Sequence, residues 1–248
     1  MPVISKNRLK ELIKLHNKKY RSEQGLILVE GRRLLDQLHR NGVVIEEIFC
    51  NQEKAGDLQN LSPKLITLCE NWQLEKLSQT STSQQVIGLI KSKRQPIEKT
   101  DFLLYLDNIS DPGNLGTIFR TAMGLGVDGI ITSPGCCEIF NPKVVRASMG
   151  AVVIYPIAER DYEWLLNQNA AIIVTVLENS KNISEIKEIK KPCILVIGSE
   201  ANGVDDQIIR AADIKLRIPM YNRMESLNAA VAAGIAIYYI ISDGYIKR

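Results

Sequence analysis

Residues 213 to 241, DIKLRIPMYNRMESLNAAVAAGIAIYYII, decide how the C-terminal part of this chain is organised. Apolar residues alternate at the start of this stretch, which predicts a half-buried strand that Pro219 ends. Ser226 stands where a helix N-cap belongs, so we predict a helix directly after it. Small residues fill the first turns of that helix and would allow close approach of a ligand or another backbone. Taken alone, the stretch favours the simpler alternative of a buried helix with a serine cap.

Composition and cysteine usage limit the class of protein. The chain has 248 residues, of which 45% are hydrophobic and 24% charged, as in ordinary globular proteins. Its longest apolar run has 13 residues, short of the roughly 18 to 20 that a membrane helix needs. The N-terminus lacks the apolar core of a signal peptide, and the five cysteines show no metal-ligand spacing. We therefore expect a cytoplasmic protein with reduced thiols, no membrane span and no metal.

Positive charge is concentrated at the N-terminus. Residues 1 to 40 carry ten lysines and arginines against four acidic residues, whereas the whole chain has a net charge of only +3. We predict an amphipathic helix over residues 5 to 20, with a lysine every fourth residue along one stripe, at Lys6, Lys10, Lys14 and Lys18. With Lys19 and Arg21 following, this stripe fits a phosphate backbone, although a solvated basic face explains it as well.

Strand and helix patterns alternate along the chain and predict an α/β protein. The polar segment 92–100 contains Pro96 and reads as a linker, so we predict a small N-terminal α/β domain over residues 1–95 and a second domain over 101–248. In the second domain continuous apolar strands, including one predicted over residues 151–157, are separated by helices. This pattern is typical of a parallel sheet covered on both faces.

Three loops in the second domain have unusual compositions at the ends of predicted strands. They read LDNISDPGNLGTIFRTA (106–122), IGSEANGV (197–204) and PMYNRMESLN (219–228). Ligands gather beyond the carboxyl ends of parallel strands, so the three loops together predict a small-ligand pocket. None has the form of a P-loop or of a dinucleotide-binding glycine motif. Both histidines lie in the first 40 residues, so chemistry here would use Arg, Glu, Asn and Ser beside a bound cofactor.

At these loops the sequence resembles the SpoU/TrmH branch of the SPOUT family, RNA ribose 2′-O-methyltransferases that use S-adenosylmethionine. DPGNLGTIFRTA, NPKVVRASMGA, GSEANGV and IPMYNRMESLNAAVAA occur in family order and at family spacing. The N-terminal segments KLHNKKYR and LVEGRRLL resemble the RNA-binding accessory domain of many members, which is similar to a small ribosomal protein. The resemblance implies a C-terminal trefoil knot that holds the cofactor, and a homodimer with a shared active site.

The resemblance also implies roles for individual residues. The expected catalytic residues are Asn114, Arg120, Glu200, Ser226 and Asn228. The expected cofactor-binding residues are Gly198, Ser199, Glu200, Ile218, Met220, Ser226, Leu227 and Asn228. The basic N-terminal pattern and the resemblance together predict the RNA-binding residues, which are Lys6, Lys10, Lys14, Lys18, Lys19, Arg21, Arg32 and Arg120. Ser199 departs from the family pattern, in which many relatives have Asn, and we expect this change to leave the pocket intact but to alter its hydrogen bonding.

The role of Arg120 and the identity of the RNA stay open at this stage. In the family the residue corresponding to Arg120 is proposed as the base, but a guanidinium normally keeps its proton, which favours binding the phosphate and orienting the 2′-hydroxyl. The two-domain organisation favours 23S ribosomal RNA, with guanosine as a candidate nucleotide, over transfer RNA. The alternatives are a transfer RNA enzyme, a non-catalytic RNA-binding or assembly factor, and an rRNA methyltransferase that confers antibiotic resistance.

Overall fold

The chain folds into two compact units. A computed structural model describes residues 1–61, 63–80, 82–186, 188–221 and 226–242. One unit comprises Met1–Lys93 and Phe140–Ile154, and the other comprises Arg94–Ile139 and Tyr155–Arg248. The predicted domain limits, 1–95 and 101–248, stay a prediction. The segment Phe140–Ile154 is assigned by its packing to the N-terminal unit.

The first unit is built around a mixed four-stranded sheet in the order β1-β4-β2-β3. β4 is antiparallel to both β1 and β2, while β2 and β3 are parallel. Apolar residues of α1 and α4 form one buried cluster with this sheet. The elements are α1 (Lys6–Lys14), α2 (Lys18–Gln24), β1 (Leu26–Glu30), α3 (Arg32–Arg40), β2 (Ile45–Cys50), a 3-10 helix (Ala55–Leu61), β3 (Ile66–Leu68), α4 (Asn71–Leu77), β4 (Val86–Lys91), α6 (Pro142–Ala147) and α7 (Ala151–Ile154).

The prediction of one helix over residues 5–20 is wrong, because the segment forms two helices, α1 and α2. α1 ends at Lys14, and Asn17 begins α2 by accepting the backbone N–H of Lys19 with its side chain. Asparagine competes with the helical backbone and favours such caps, so it interrupts the apolar periodicity. Lys18 therefore belongs to a different helix from Lys6, Lys10 and Lys14.

The second unit contains a seven-stranded parallel sheet, which confirms the predicted α/β fold with a parallel sheet. Its order is β7-β6-β5-β10-β8-β11-β9, and every pairing is parallel. All six residues of β5 are buried, as expected for a central strand with both faces covered. The elements are β5 (Phe102–Asp107), α5 (Pro112–Leu125), β6 (Gly129–Thr132), β7 (Ile157–Glu159), α8 (Tyr162–Leu166), β8 (Ala171–Thr175), β9 (Lys181–Asn182), a 3-10 helix (Ile183–Glu185), β10 (Cys193–Gly198), α9 (Asp206–Ala211), β11 (Ile214–Arg217) and α10 (Ala229–Ser242).

Two sequence predictions in the C-terminal half need correction. The apolar run 151–157 is the short helix α7 followed by the first residue of β7, because periodicity cannot separate a buried strand from a short buried helix. Ser226 is not the N-cap of α10. Asn228 takes that role, since its side-chain oxygen accepts the backbone N–H groups of Ala230 at 3.0 Å and Val231 at 3.3 Å.

The described residues form neither a membrane-spanning helix nor a metal site. Within the ranges given above, no helix is both long and apolar enough to cross a bilayer. The same ranges contain no group of three or more His, Cys, Asp or Glu residues that could hold a metal ion.

Candidate active site

A cavity of about 410 Å³ opens beyond the carboxyl ends of β8, β10 and β11. This volume lies within the range of small-molecule sites. Seven of the eight residues predicted to bind the cofactor line it, namely Gly198, Ser199, Glu200, Ile218, Met220, Ser226 and Leu227. The eighth, Asn228, adjoins the cavity through its neighbours in the chain. The fold therefore brings the second and third predicted loops to one place, as expected for strands that end at the same edge of a sheet.

Sequence reasoning missed one wall of this cavity. The end of β8 and the residues after it line the site, at Thr175, Val176, Leu177 and Glu178. The apolar run AIIVTVL over residues 171–177 predicts a strand that includes the first three of these residues, but its end carries no glycine or asparagine signal of a site. Their position depends on β8 pairing with both β10 and β11, which only the sheet order reveals.

Gly198 allows the second loop to fold back tightly on the end of β10. A Cβ built on Gly198 would lie closer than 2.5 Å to backbone atoms of Gly203 and Val204. The loop itself is closed by two backbone hydrogen bonds between Ser199 and Gly203, at 3.1 and 2.9 Å. A glycine is therefore required at this position for steric reasons, and the turn that it permits places Glu200 at the cavity.

A chain of side-chain hydrogen bonds joins all three predicted loops. Asn114, near the start of α5, donates through Nδ2 to Oε1 of Glu200. Its Oδ1 accepts from Nδ2 of Asn228 at 2.9 Å. Each amide is held in one orientation, because Oδ1 of Asn228 accepts the α10 cap bond and the Glu200 carboxylate can only accept. The structure thus brings Asn114, Glu200 and Asn228 together from positions up to 114 residues apart.

Arg120 lies further along α5 and is exposed. Within the described parts of the chain, no hydrogen bond or ion pair engages its guanidinium. A cation with no partner among the described residues can bind a phosphate, which suits the predicted RNA contact.

The predicted RNA-binding residues of the N-terminal unit differ in accessibility. Lys6, Lys10, Lys14, Lys18 and Lys19 are all exposed. Arg21 is a correction, because it is only 5% exposed and donates to the backbone carbonyls of Leu15 and His16, both at 2.8 Å. Arg32 is also engaged within the unit, with Asp36 at 3.0 Å and Asn60 at 2.9 Å. Hydrogen bonds and ion pairs within the unit occupy these two arginines, and a count of charges along the sequence cannot detect such contacts.

The residues around the cavity fit S-adenosylmethionine. Apolar side chains such as Val176, Ile218 and Leu227 can cover an adenine ring, and the carboxylates of Glu178, Glu200 and Asp206 can balance a cationic sulfonium.

Cys136, in the loop after β6, is not suited to covalent chemistry, since burial raises the pKa of its thiol.

Comparison with known proteins places this site in a family. Residues 101–238 match the SpoU rRNA Methylase family, and residues 6–88 match an MRM3-like substrate binding domain. A 23S rRNA (guanosine(2553)-2′-O)-methyltransferase of Bacillus subtilis (strain 168) is 29% identical, with 94% of this chain and 95% of that protein covered. A mitochondrial rRNA methyltransferase 3 of Xenopus tropicalis is 26% identical, with 90% and 71% covered. The crystal structure of an AdoMet-bound rRNA methyltransferase from Sinorhizobium meliloti superposes with a TM-score of 0.82 at 26% identity, covering 96% and 95%.

The chain belongs to the SpoU rRNA methylase family. The predicted enzyme class, an RNA 2′-O-methyltransferase with S-adenosylmethionine as its cofactor, is confirmed at this level.

Proposed function

We propose that this enzyme methylates a ribose 2′-hydroxyl of 23S ribosomal RNA, with a guanosine as the target nucleotide. The choice of RNA and of nucleotide is supported by the Bacillus subtilis relative, whose match extends over nearly the whole of both chains. The observation that carries the chemistry is the hydrogen-bonded chain from Glu200 through Asn114 to Asn228 at the edge of the cavity. It joins elements from three parts of the sequence around one site.

The protein's task is to place the nucleophile. S-adenosylmethionine supplies, when bound, a methyl group already activated on a sulfonium centre. The chain must hold the ribose oxygen in line with that methyl group and help remove the hydroxyl proton, and positioning of this kind can contribute several kcal/mol to rate enhancement. We assign Asn114, Glu200 and Asn228 to ordering the loops, Ser226 to the cavity wall and Arg120 to the phosphate next to the target ribose.

Replacement of Arg120 tests this division of roles. Arg120→Ala removes the phosphate contact but leaves the cavity intact, so we expect methyl transfer to be lost while S-adenosylmethionine binding persists. Arg120→Lys keeps the charge and should retain part of the activity. Arg210→Ala is a matched control, because Arg210 is an exposed arginine at the end of α9 that does not line the cavity. Equal loss of cofactor binding and of methyl transfer in Arg120→Ala would contradict the assignment.

The exposed lysines of α1 and α2 support RNA binding by the N-terminal unit. Each phosphate contact contributes about 0.7 to 0.9 to the slope of log affinity against log salt concentration. Lys10→Ala with Lys14→Ala should therefore weaken RNA binding and reduce that slope by about 1.5. Lys64→Ala is the control, since the Lys64 ammonium is already bound to Glu46 at 2.6 Å. An unchanged slope in the double variant would show that α1 does not contact RNA.

Labelled methyl transfer identifies the substrate. Tritiated S-adenosylmethionine is incubated with total RNA from a strain that lacks this protein, and the 2′-O-methyl position is mapped. A single labelled guanosine in 23S rRNA would establish the proposal. Label in transfer RNA alone would establish the alternative substrate, and cofactor binding without transfer to naked RNA would indicate an assembly intermediate or a non-catalytic factor. The same map, compared with drug susceptibility of the strain, tests a role in antibiotic resistance.

The homodimer and the trefoil knot predicted from the family belong to the same proposal. An exposed apolar stripe on α10 supports self-association, with Val231 51%, Ile235 39% and Tyr238 62% exposed. Ile235→Glu should yield a monomer in light scattering if α10 forms the interface. The return of α10 to pack on α5 and β10, after β11 has paired with β8, agrees with a knotted C-terminus. The cytoplasmic location stays a prediction from the sequence.

A further inference from the structure

A buried carboxylate, Asp107, lies at the end of β5 and has no part in the roles assigned above. It is only 4% exposed, and in the parallel register it pairs with Gly198 at the end of β10. Burying a carboxylate is costly unless hydrogen bonds replace its hydration. The partners of Asp107 therefore indicate what the residue does.

Each oxygen of Asp107 accepts one hydrogen bond that fixes a different part of the site. Oδ2 accepts the backbone N–H of Asp205 at 2.8 Å, and Oδ1 accepts Nδ2 of Asn108 at 2.8 Å. Asn108 is itself held firmly. Its φ is +56°, in the left-handed region that asparagine tolerates, and its N–H donates to Oγ of Ser133 at 2.9 Å. Asn108 and Ser133, which follow β5 and β6, thus hold the Asp107 carboxylate in place. The carboxylate in turn holds the backbone N–H of Asp205.

Asp205 ends the loop that carries Glu200. The loop leaves β10 at Gly198, closes on itself between Ser199 and Gly203, and reaches α9 through Asp205, whose side chain caps that helix. One end of the loop is therefore held by β10 and the other by Asp107. Since Glu200 lies within the closed turn and accepts from Asn114, the Asp107 contact sets where Glu200 stands relative to α5.

We infer that Asp107 is a positioning residue for methyl transfer, acting through the Glu200 loop. This inference rests on the proposed function, because it assigns Asp107 to the same reaction. Burial raises the pKa of Asp107; the Asp205 N–H lowers it, and the nearby Asp205 carboxylate raises it. Burial, and after it the charge of Asp107, raises the pKa of both Tyr105 and Cys136 nearby, so neither of them opposes the Asp107 carboxylate with a charge near neutral pH. Once protonated, the carboxyl group would lose one of its two acceptor oxygens.

Asp107→Asn tests the inference with little change in volume. An amide has one acceptor oxygen, so it can serve either Asp205 or Asn108 but not both. Loss of one hydrogen bond to a charged group corresponds to about 10- to 100-fold in an equilibrium or a rate. We expect kcat to fall by that factor, with the KM for RNA unchanged. Ser133→Ala, which removes the acceptor of the Asn108 N–H, should lower kcat in the same direction and by less.

Asp128→Asn is the matched control, because Asp128 directly precedes β6 and binds the start of β5, at the opposite end of that strand from Asp107. There, Oδ2 of Asp128 accepts the backbone N–H of Phe102 at 2.9 Å, so the chemical change is the same but lies away from the cavity. This variant should lower the melting temperature without lowering kcat. Equal kcat losses in Asp107→Asn and Asp128→Asn would show a general stability effect and overturn the inference.

Hydrogen exchange gives a readout that needs no enzymatic activity. In Asp107→Asn, amides 199–205 should exchange faster than in the wild type, while in Asp128→Asn they should not. Exchange at unchanged rates in Asp107→Asn would overturn the inference. If the wild type transfers no methyl group to any RNA, the proposed function fails, and the exchange experiment still decides whether Asp107 positions the loop.

The double variant Asp107→Asn, Glu200→Gln tests whether the two residues act together. Residues that act through one contact give non-additive effects. The double variant should therefore have nearly the kcat of Glu200→Gln alone. Effects that multiply would show that Asp107 acts elsewhere.

Discussion

Substitution of Gly198 by alanine is expected to disrupt the cofactor site by a steric effect alone. The added Cβ would lie within 2.5 Å of the carbonyl group of Gly203 and the nitrogen of Val204, whereas ordinary contact begins at 3.4 Å. These are backbone atoms that cannot rotate away, so the loop must move by about 1 Å. Overpacking of this kind costs about 1 to 3 kcal/mol of stability. A displacement of about 1 Å at a reacting site can cost about 100-fold in rate.

Two measurements separate these effects. Urea unfolding gives the free energy of unfolding, and titration calorimetry gives the dissociation constant of S-adenosylmethionine, which should rise at least about tenfold because the moved loop lines the cavity. Gly124→Ala is the control, since a Cβ there meets nothing within 4 Å and alanine favours the helix α5 by about 0.5 to 1 kcal/mol. Unchanged cofactor affinity in Gly198→Ala would refute the prediction that a Cβ at this position displaces the loop.

Three further predictions concern single residues. Asn228→Ala should lower the free energy of unfolding by about 1 kcal/mol through loss of the α10 cap and should also lower kcat, since Asn228 holds Asn114; an unchanged kcat would contradict the hydrogen-bonded chain. Burial raises the pKa of the Cys69 thiol from 9.0 to about 12, so in the native protein this thiol should resist iodoacetamide at pH 8. The thiol of the unfolded chain loses its proton at a lower pH than the thiol of the folded protein. The contribution of Cys69 to the free energy of unfolding should therefore fall as pH rises above 9. Asp107 binds its proton more tightly in the folded state, because its pKa is raised, so its contribution to the free energy of unfolding should fall as pH rises from the ordinary to the raised pKa, and urea unfolding of Asp107→Asn should lack that slope.

Sequence pattern was most reliable where one physical requirement dominated. Runs such as CILVIG are apolar because a central parallel strand is covered on both faces, and β10 spans this run from Cys193 to Gly198. It was weaker where local hydrogen bonds compete with periodicity. Asn17 divides the predicted N-terminal helix, and Asn228 rather than Ser226 begins α10.

The sequence by itself determined the fold class, the three loops and the family, because apolar periodicity and short motifs are local properties. Tertiary structure alone decided which residues meet. Asn114, Glu200 and Asn228 form one hydrogen-bonded chain, β8 supplies a wall of the cavity, and Asp107 is joined to Asp205 across 98 residues. Such contacts depend on strand order and register, which place distant residues at the same edge of a sheet. No spacing along the chain encodes that placement directly.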